Sequence, residues 1–280
     1  MTLASHFQHM GEEVMDIKSI IETLLRDGFI LVFNQNKLDI VKTARALVKA
    51  GVNNMEVTCR INQPLEKLSR LRKELPYFAA GTASLIDFPE MLDIYNKANP
   101  QDPLPSVDQV VDAGASYLVS AVNFSDASFE KYAGKIPIIP GCGTATEVVS
   151  QYSRGANLCK IFPAKQLGGP AFVKAIDPAI HKTISLVPTG GTNTENIPDY
   201  IDAGVLVLGG SFSMIEKATM KKIIDEQDYE LLAKELTAIK LMIDRLRKEK
   251  YSEIDFAKAT IEQISQATGR NFNLKVTKMN

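Results

Sequence analysis

The stretch Leu158-Cys159-Lys160-Ile161-Phe162-Pro163 reads as a buried β-strand carrying an ammonium at its centre. Side chains alternate along a strand, so Leu158, Lys160 and Phe162 share one face while Cys159 and Ile161 take the other. A lysine among apolar neighbours is costly unless it loses its charge or finds a partner. The chemical use of a desolvated lysine is as an amine nucleophile that condenses with a carbonyl to form a Schiff base. An edge-strand lysine snorkelling to water is the plainer alternative, and the rest of the chain decides between them.

Outward from this strand the chain keeps a rhythm. Short apolar runs at Phe29–Phe33, Asn54–Thr58, Tyr77–Thr82, Tyr117–Ala121, Ile136–Pro140, Ile184–Pro188 and Val205–Leu208 join it as strand candidates. Helical stretches lie between most of them, the clearest from about Leu38 to Ala50 and from Pro64 to Leu75, while Asp126 to Lys135 carries the weakest helical pattern. Short apolar strands alternating with helices imply parallel strands joined by crossovers, and eight of them close into a (β/α)8 TIM barrel. An open doubly wound sheet is the alternative, weakened because no Gly-x-Gly-x-x-Gly turn follows the first strand.

The expected organisation is an N-terminal helical lead-in over 1–27, a barrel over 28–219 and a helical C-terminal extension over 220–280. Ile17, Ile20, Ile21, Leu24 and Leu25 give the lead-in its helical spacing, and Tyr229–Lys250 reads as an amphipathic helix of the extension. Whether the extension packs on the barrel or makes a subunit contact is left open. A long connection near 83–113 contains Asn99-Pro-Gln-Asp-Pro-Leu-Pro105, too proline-rich for regular structure. It follows a strand, which places it on the C-terminal rim where barrel enzymes keep their sites.

Composition excludes several classes. The 280 residues carry a net charge of −1, so nothing global favours nucleic acid or an anionic membrane as partner. No apolar run approaches membrane-spanning length and the first residues lack the core of a signal peptide, which gives a cytoplasmic expectation. Cys59, Cys142 and Cys159 have no metal-ligand spacing, and Cys59 and Cys159 sit in strands as core-filling thiols. His6, His9 and His181 are scattered, with ordinary surface roles expected, so no metal site is expected.

Two further signals carry chemistry. Glu56, Thr58 and Arg60 share one parity of the second strand, and a carboxylate there is costly unless paired. It is either a general base or half of a structural ion pair with Arg60 or Lys160. Pro188-Thr-Gly-Gly191 and Gly209-Gly-Ser211 end the seventh and eighth strands, where glycine loops of a barrel bare backbone N–H groups to phosphate.

Six motifs in order then resemble one family: Glu56-Val-Thr-Cys-Arg60, Ala80-Gly-Thr82, Ile139-Pro-Gly141, Lys160-Ile-Phe-Pro-Ala164, Pro188-Thr-Gly-Gly191 and Gly209-Gly-Ser211. They look like the 2-keto-3-deoxy-6-phosphogluconate and 4-hydroxy-2-oxoglutarate aldolases, class I enzymes on a (β/α)8 barrel, over roughly Gly28 to Phe212. The resemblance implies Lys160 as the Schiff-base lysine and Glu56 as the general acid/base. It implies Arg60 and Thr82 as holders of the pyruvate carboxylate and Phe162 and Pro163 as walls. Thr189, Gly190, Gly191, Gly210 and Ser211 complete the implied substrate site, at the phosphate end. It further implies no cofactor, a keto acid and a (phospho)aldehyde as small-molecule partners, and a homotrimer.

There are departures. Many members end the first strand in an arginine, where counting back from Glu56 gives Phe33 followed by Asn34, and a Ser-Pro after the fourth strand is Ser120-Ala121 here. The 83–113 connection and the tail have no counterpart in a minimal member. These departures leave two alternatives: an aldolase with a changed aldehyde partner, and a non-catalytic sugar-phosphate-binding barrel. The second leaves the Lys160–Glu56 combination without a purpose.

Overall fold

The computed structural model describes residues 15–176 and 178–274; the predicted lead-in before Met15, with His6 and His9, lies outside them. Nine strand segments follow in order: β1 (Phe29–Phe33), β2 (Asn54–Thr58), β3 (Ala79–Leu85), β4 (Tyr117–Ser120), β5 (Ile138–Ile139), β6 (Gly141–Cys142), β7 (Cys159–Ile161), β8 (Leu186–Pro188) and β9 (Leu208–Ser211). They pair in parallel as β5-β4-β3-β2-β1-β9 and β6-β7-β8. Pro140 alone separates β5 from β6. It has no N–H to give a ladder, so the predicted fifth strand is interrupted there.

The sheet is curled, with helices outside. Leu31, Met55, Val57, Cys159 and Ile161 belong to the core between strands and helices, while Ile30, Tyr117, Val119, Leu158 and Val187 belong to a second core on the other face. The alternation predicted for the Leu158–Phe162 stretch is therefore observed: Leu158 is inside, Cys159 and Ile161 outside.

One end of the inner face is closed by helix Ile17–Asp27. Asp16 caps it by accepting from Ser19 N at 2.7 Å, and Gly28 ends it at φ 64° with its N–H on Leu24 O. Ile20, Ile21, Leu24 and Leu25 of this helix are buried in the inner core, each contributing roughly 1.5–3 kcal/mol of transfer free energy. Phe256, Ile261, Ile264 and Phe272 of the C-terminal segment join the same core. Asn157 Nδ2 donates to Phe272 O at 3.0 Å, and Ile184 bridges to Asn271, so the tail is pinned across the strand starts.

Helix Tyr229–Lys250 packs against helices Ile40–Lys49 and Ile197–Asp202, in the sheet's outer layer. The 83–113 connection is more regular than predicted: β3 runs to Leu85, then helix Pro89–Ala98, the irregular Asn99–Pro105 stretch, and helix Val107–Asp112 with a Ser106–Gln109 capping box. The weakly patterned Asp126–Lys135 segment forms helix Asp126–Tyr132, set by the Ser125 cap.

Candidate active site

Lys160 sits at the centre of β7, in register with Gly141 on β6 and Val187 on β8. Glu56 sits at the centre of β2, in register with Val32 on β1 and Gly81 on β3. These strands belong to different ladders, yet Lys160 Nζ donates to Glu56 Oε1 at 2.8 Å. Only 4% of Lys160 and 2% of Glu56 is exposed, so the pair spans the inside of the curl away from water. Neither snorkelling nor a Glu56–Arg60 pair describes these residues. The Lys160 ammonium also lies 5.4 Å from the centroid of the Phe162 ring.

Below the pair is a polar floor that sequence reasoning missed. Tyr117 is fully buried and donates from its hydroxyl to Asn54 Oδ1 at 3.2 Å. Asn54 Nδ2 in turn donates to Asp27 Oδ2 at 2.7 Å and to Phe29 O at 2.9 Å. Burial, with the charges of Glu56 and Asp27 nearby, holds the Tyr117 phenol well above its usual value, so it stays a neutral donor. The Tyr117 ring fills the space over Gly81, where a Cβ would stand 2.1 Å from Cε2. The legible signals were Asn54, two residues before Glu56 on the same parity, and a glycine facing a tyrosine on the next strand.

At the C-terminal ends of β2 and β3, Arg60 lies past the strand in a turn and is exposed, so the parity argument does not extend to it. Its Nε donates to Ser84 Oγ at 3.1 Å, and Ser84 Oγ lies 3.2 Å from Thr58 Oγ1. Thr82 is in register with Val57 rather than Glu56, on the parity opposite the ion pair, and its buried Oγ1 has no hydrogen-bond partner. Phe33, at the position counted back from Glu56, faces away from the ion pair. It is buried on the helix side, edge-on to Phe212 at 6.0 Å, because odd positions of β1 face outward. The exposed residue at the strand's end is Asn34.

At the ends of β7 and β8, Phe162 and Pro163 are half-buried. A Cβ on Gly190 would meet the Phe162 ring at 3.2 Å and the Pro163 Cα at 3.4 Å, so wall and glycine turn are in contact. Gly190 and Gly191 both have positive φ, 91° and 81°, and among the described residues their N–H groups donate to nothing. Thr189 is buried beside Gly209. The second glycine pair differs from expectation: Gly209, Gly210 and Ser211 lie inside β9, paired with Ile30, Leu31 and Val32, not in a loop beyond it. Close packing explains the glycines, since a Cβ would strike Thr189 Oγ1 from Gly209 and Met214 Sδ from Gly210. Ser211 Oγ, half-exposed, lies 2.9 Å from Ser213 Oγ.

Cys59, Cys142 and Cys159 are free and buried, with burial pushing the Cys59 thiol up to about 12. His181 is half-buried rather than a surface residue, its Nε2 against Ala203 O. Among the described residues, no group of three or more His, Cys, Asp or Glu is assembled to hold a metal.

The chain is similar to known proteins. A family model described as KDPG and KHG aldolase matches residues 103–234. The 2-dehydro-3-deoxy-phosphogluconate aldolase of Dickeya dadantii is 31% identical over 198 residues, covering 70% of this chain and 85% of that protein. The KHG/KDPG aldolase of Escherichia coli K12 is 29% identical over 220 residues, covering 78% and 93%. Among solved structures, a KDPG aldolase from Legionella pneumophila, with pyruvate captured as a covalent carbinolamine, superposes with a TM-score of 0.62 at 25% identity, covering 78% of this chain and 96% of that one. The chain belongs to the KDPG and KHG aldolases, a family of carbon–carbon lyases.

Proposed function

We propose that the protein is a class I aldolase that reversibly cleaves a 2-keto-3-deoxy-6-phospho sugar acid, or 4-hydroxy-2-oxoglutarate, to pyruvate and an aldehyde (glyceraldehyde 3-phosphate or glyoxylate). The observation that carries this reading is the buried Lys160–Glu56 contact at 2.8 Å, since binding alone requires neither an enclosed amine nor a carboxylate against it. The carbinolamine in the Legionella relative supports the covalent route.

Glu56 takes a proton from the Lys160 ammonium, and the free amine attacks the C2 carbonyl of the keto acid. The carbinolamine hydroxyl takes that proton back from Glu56 and leaves as water, giving a protonated imine and a Glu56 carboxylate. The C4 hydroxyl then gives its proton to Glu56, directly or through a water. The C3–C4 bond breaks, its electron pair flows into the iminium, and the aldehyde leaves. Glu56 returns a proton to C3 of the enamine, and water hydrolyses the imine to release pyruvate and the amine. Arg60 supplies a fork for the carboxylate. Phe162 and Pro163 wall the site. Thr189, the Gly190–Gly191 turn and Ser211 take the phosphate end.

The same reading makes residues 28–219 a closed (β/α)8 barrel between the N-terminal helix and the C-terminal extension. Thr192 Oγ1 donating to Gly209 O across the β8–β9 edge supports closure. Helix Pro89–Ala98 buries no residue, and Phe88, Met91 and Ile94 lie exposed along it, which supports a homo-oligomer, a trimer by family likeness. Three free buried thiols suit a cytoplasmic enzyme. The test is pyruvate release from each of the two substrates. Turnover of neither would overturn the proposal.

A further inference from the structure

The two-glycine turn after β8 is shaped for an anion, and its charge balance singles out one residue that the family likeness did not assign. Lys165 lies in the turn after β7, exposed, with its backbone N–H on Gly190 O at 2.9 Å. Its side chain runs along Gly191: a Cβ there would stand 2.4 Å from Lys165 Cβ, 2.8 Å from Cδ and 3.1 Å from Cγ. Gly191 is thus glycine for two reasons, its φ of 81° and the lysine stem lying against it. Lys165 makes no ion pair or side-chain hydrogen bond among the described residues.

It is also the one basic residue of the three strand-end segments that flank this turn. The segments following β7, β8 and β9, residues 162–169, 189–196 and 212–216, contain one basic residue, Lys165. Of the two acids in the same segments, Glu195 is exposed and Glu216 caps the next helix by accepting from Thr219 N. Arg60 is engaged with Ser84 at the ends of β2 and β3, and Lys37, in the segment after β1, lines a groove with Asn193, Glu195 and Ser213, while it is the Lys165 stem that lies against Gly191 itself. Two uncharged N–H groups orient a phosphate but leave its second negative charge unmatched, and an ammonium on a flexible stem matches it as a point charge.

We propose that Lys165 is a specificity-determining residue, pairing with a dianionic phosphate on the aldehyde end of the substrate while the Gly190 and Gly191 N–H groups orient it. The proposal rests on the aldolase reading and sharpens it, assigning the acceptor as a phosphorylated aldehyde rather than a neutral one.

The test compares kcat/KM for condensing pyruvate with glyceraldehyde 3-phosphate and with glyceraldehyde. In Lys165→Met the preference for the phosphorylated acceptor falls about ten-fold, as expected for a lost charge-assisted contact at a partly hydrated site. It is carried by KM, and Lys165→Arg restores it. An unchanged preference in Lys165→Met, or equal losses on both acceptors, overturns the proposal. Calorimetry with inorganic phosphate separates its failure from failure of the aldolase reading. If the wild type catalyses no condensation at all, weaker phosphate binding by Lys165→Met still supports the anion contact, and equal binding removes it.

Discussion

Lys160 on β7 and Glu56 on β2 meet at 2.8 Å across the inside of the curled sheet, with almost none of either residue exposed. A buried pair of this kind is a poor way to add stability, because desolvation offsets most of the attraction. Removing one member is another matter. Lys160→Met leaves the Glu56 carboxylate buried and unpaired, and a loss of about 3–5 kcal/mol is expected in urea denaturation. The double variant Lys160→Met/Glu56→Leu should recover most of it. A double variant no more stable than the single would mean that the pair is structural.

Glu56→Gln keeps the shape of the site and removes the proton carrier. The expected result is a fall of roughly 10²- to 10⁴-fold in kcat, with covalent capture of pyruvate still detectable. A kcat within a factor of three of wild type would take Glu56 out of the proton transfers.

Asp27 gives a pH signature. Burial pushes its carboxyl up to about 6, against 3.8 for a free aspartate, despite hydrogen bonds from Asn53 N and Asn54 Nδ2. Between these values the folded state holds the proton more tightly than the unfolded state. The contribution of Asp27 is therefore fully present below about pH 3.8 and is lost as pH rises through 6, about 3 kcal/mol in all. Asp27→Asn should flatten this window, so that the variant gains on wild type from pH 4 to pH 7. Parallel stability curves would refute the assignment.

The pattern that sequence carries well is strand alternation over apolar runs. It put Lys160 and Leu158 on one face and Cys159 and Ile161 on the other, and it placed Glu56 inside. It failed where alternation meets an end or a bend. Arg60 falls in a turn after β2, Phe33 faces outward, and Gly209-Gly210 lie within β9 because bulky neighbours demand glycine there. Of the Tyr117–Asn54–Asp27 chain only the parity of Asn54 was legible, since its partners come from elements that meet below the ion pair.

Among the contacts that hold the C-terminal segment over the strand starts is one between a cation and a ring. The Arg247 guanidinium carbon lies 3.7 Å from the centroid of Phe256 while its NH2 donates to Leu25 O, the end of helix Ile17–Asp27. Phe256→Ala should cost about 3–5 kcal/mol, measured as a shift of the unfolding midpoint. A loss below 1 kcal/mol would make the segment an appendage rather than part of the inner core.

The three thiols offer an inexpensive check of the core. Cys59, Cys142 and Cys159 are buried; burial raises the Cys59 thiol, and the hydrogen bond with Cys142 together with burial raises that of Cys159. Native protein should therefore leave all three unmodified by a thiol reagent at pH 8, and all three should react in denaturant.

The most direct measurement is borohydride reduction in the presence of pyruvate, followed by intact mass and peptide mapping. The account predicts one pyruvate-derived adduct per chain, on the peptide containing Lys160, and none in Lys160→Met. A folded protein that gives no adduct, or an adduct on another lysine, would contradict it.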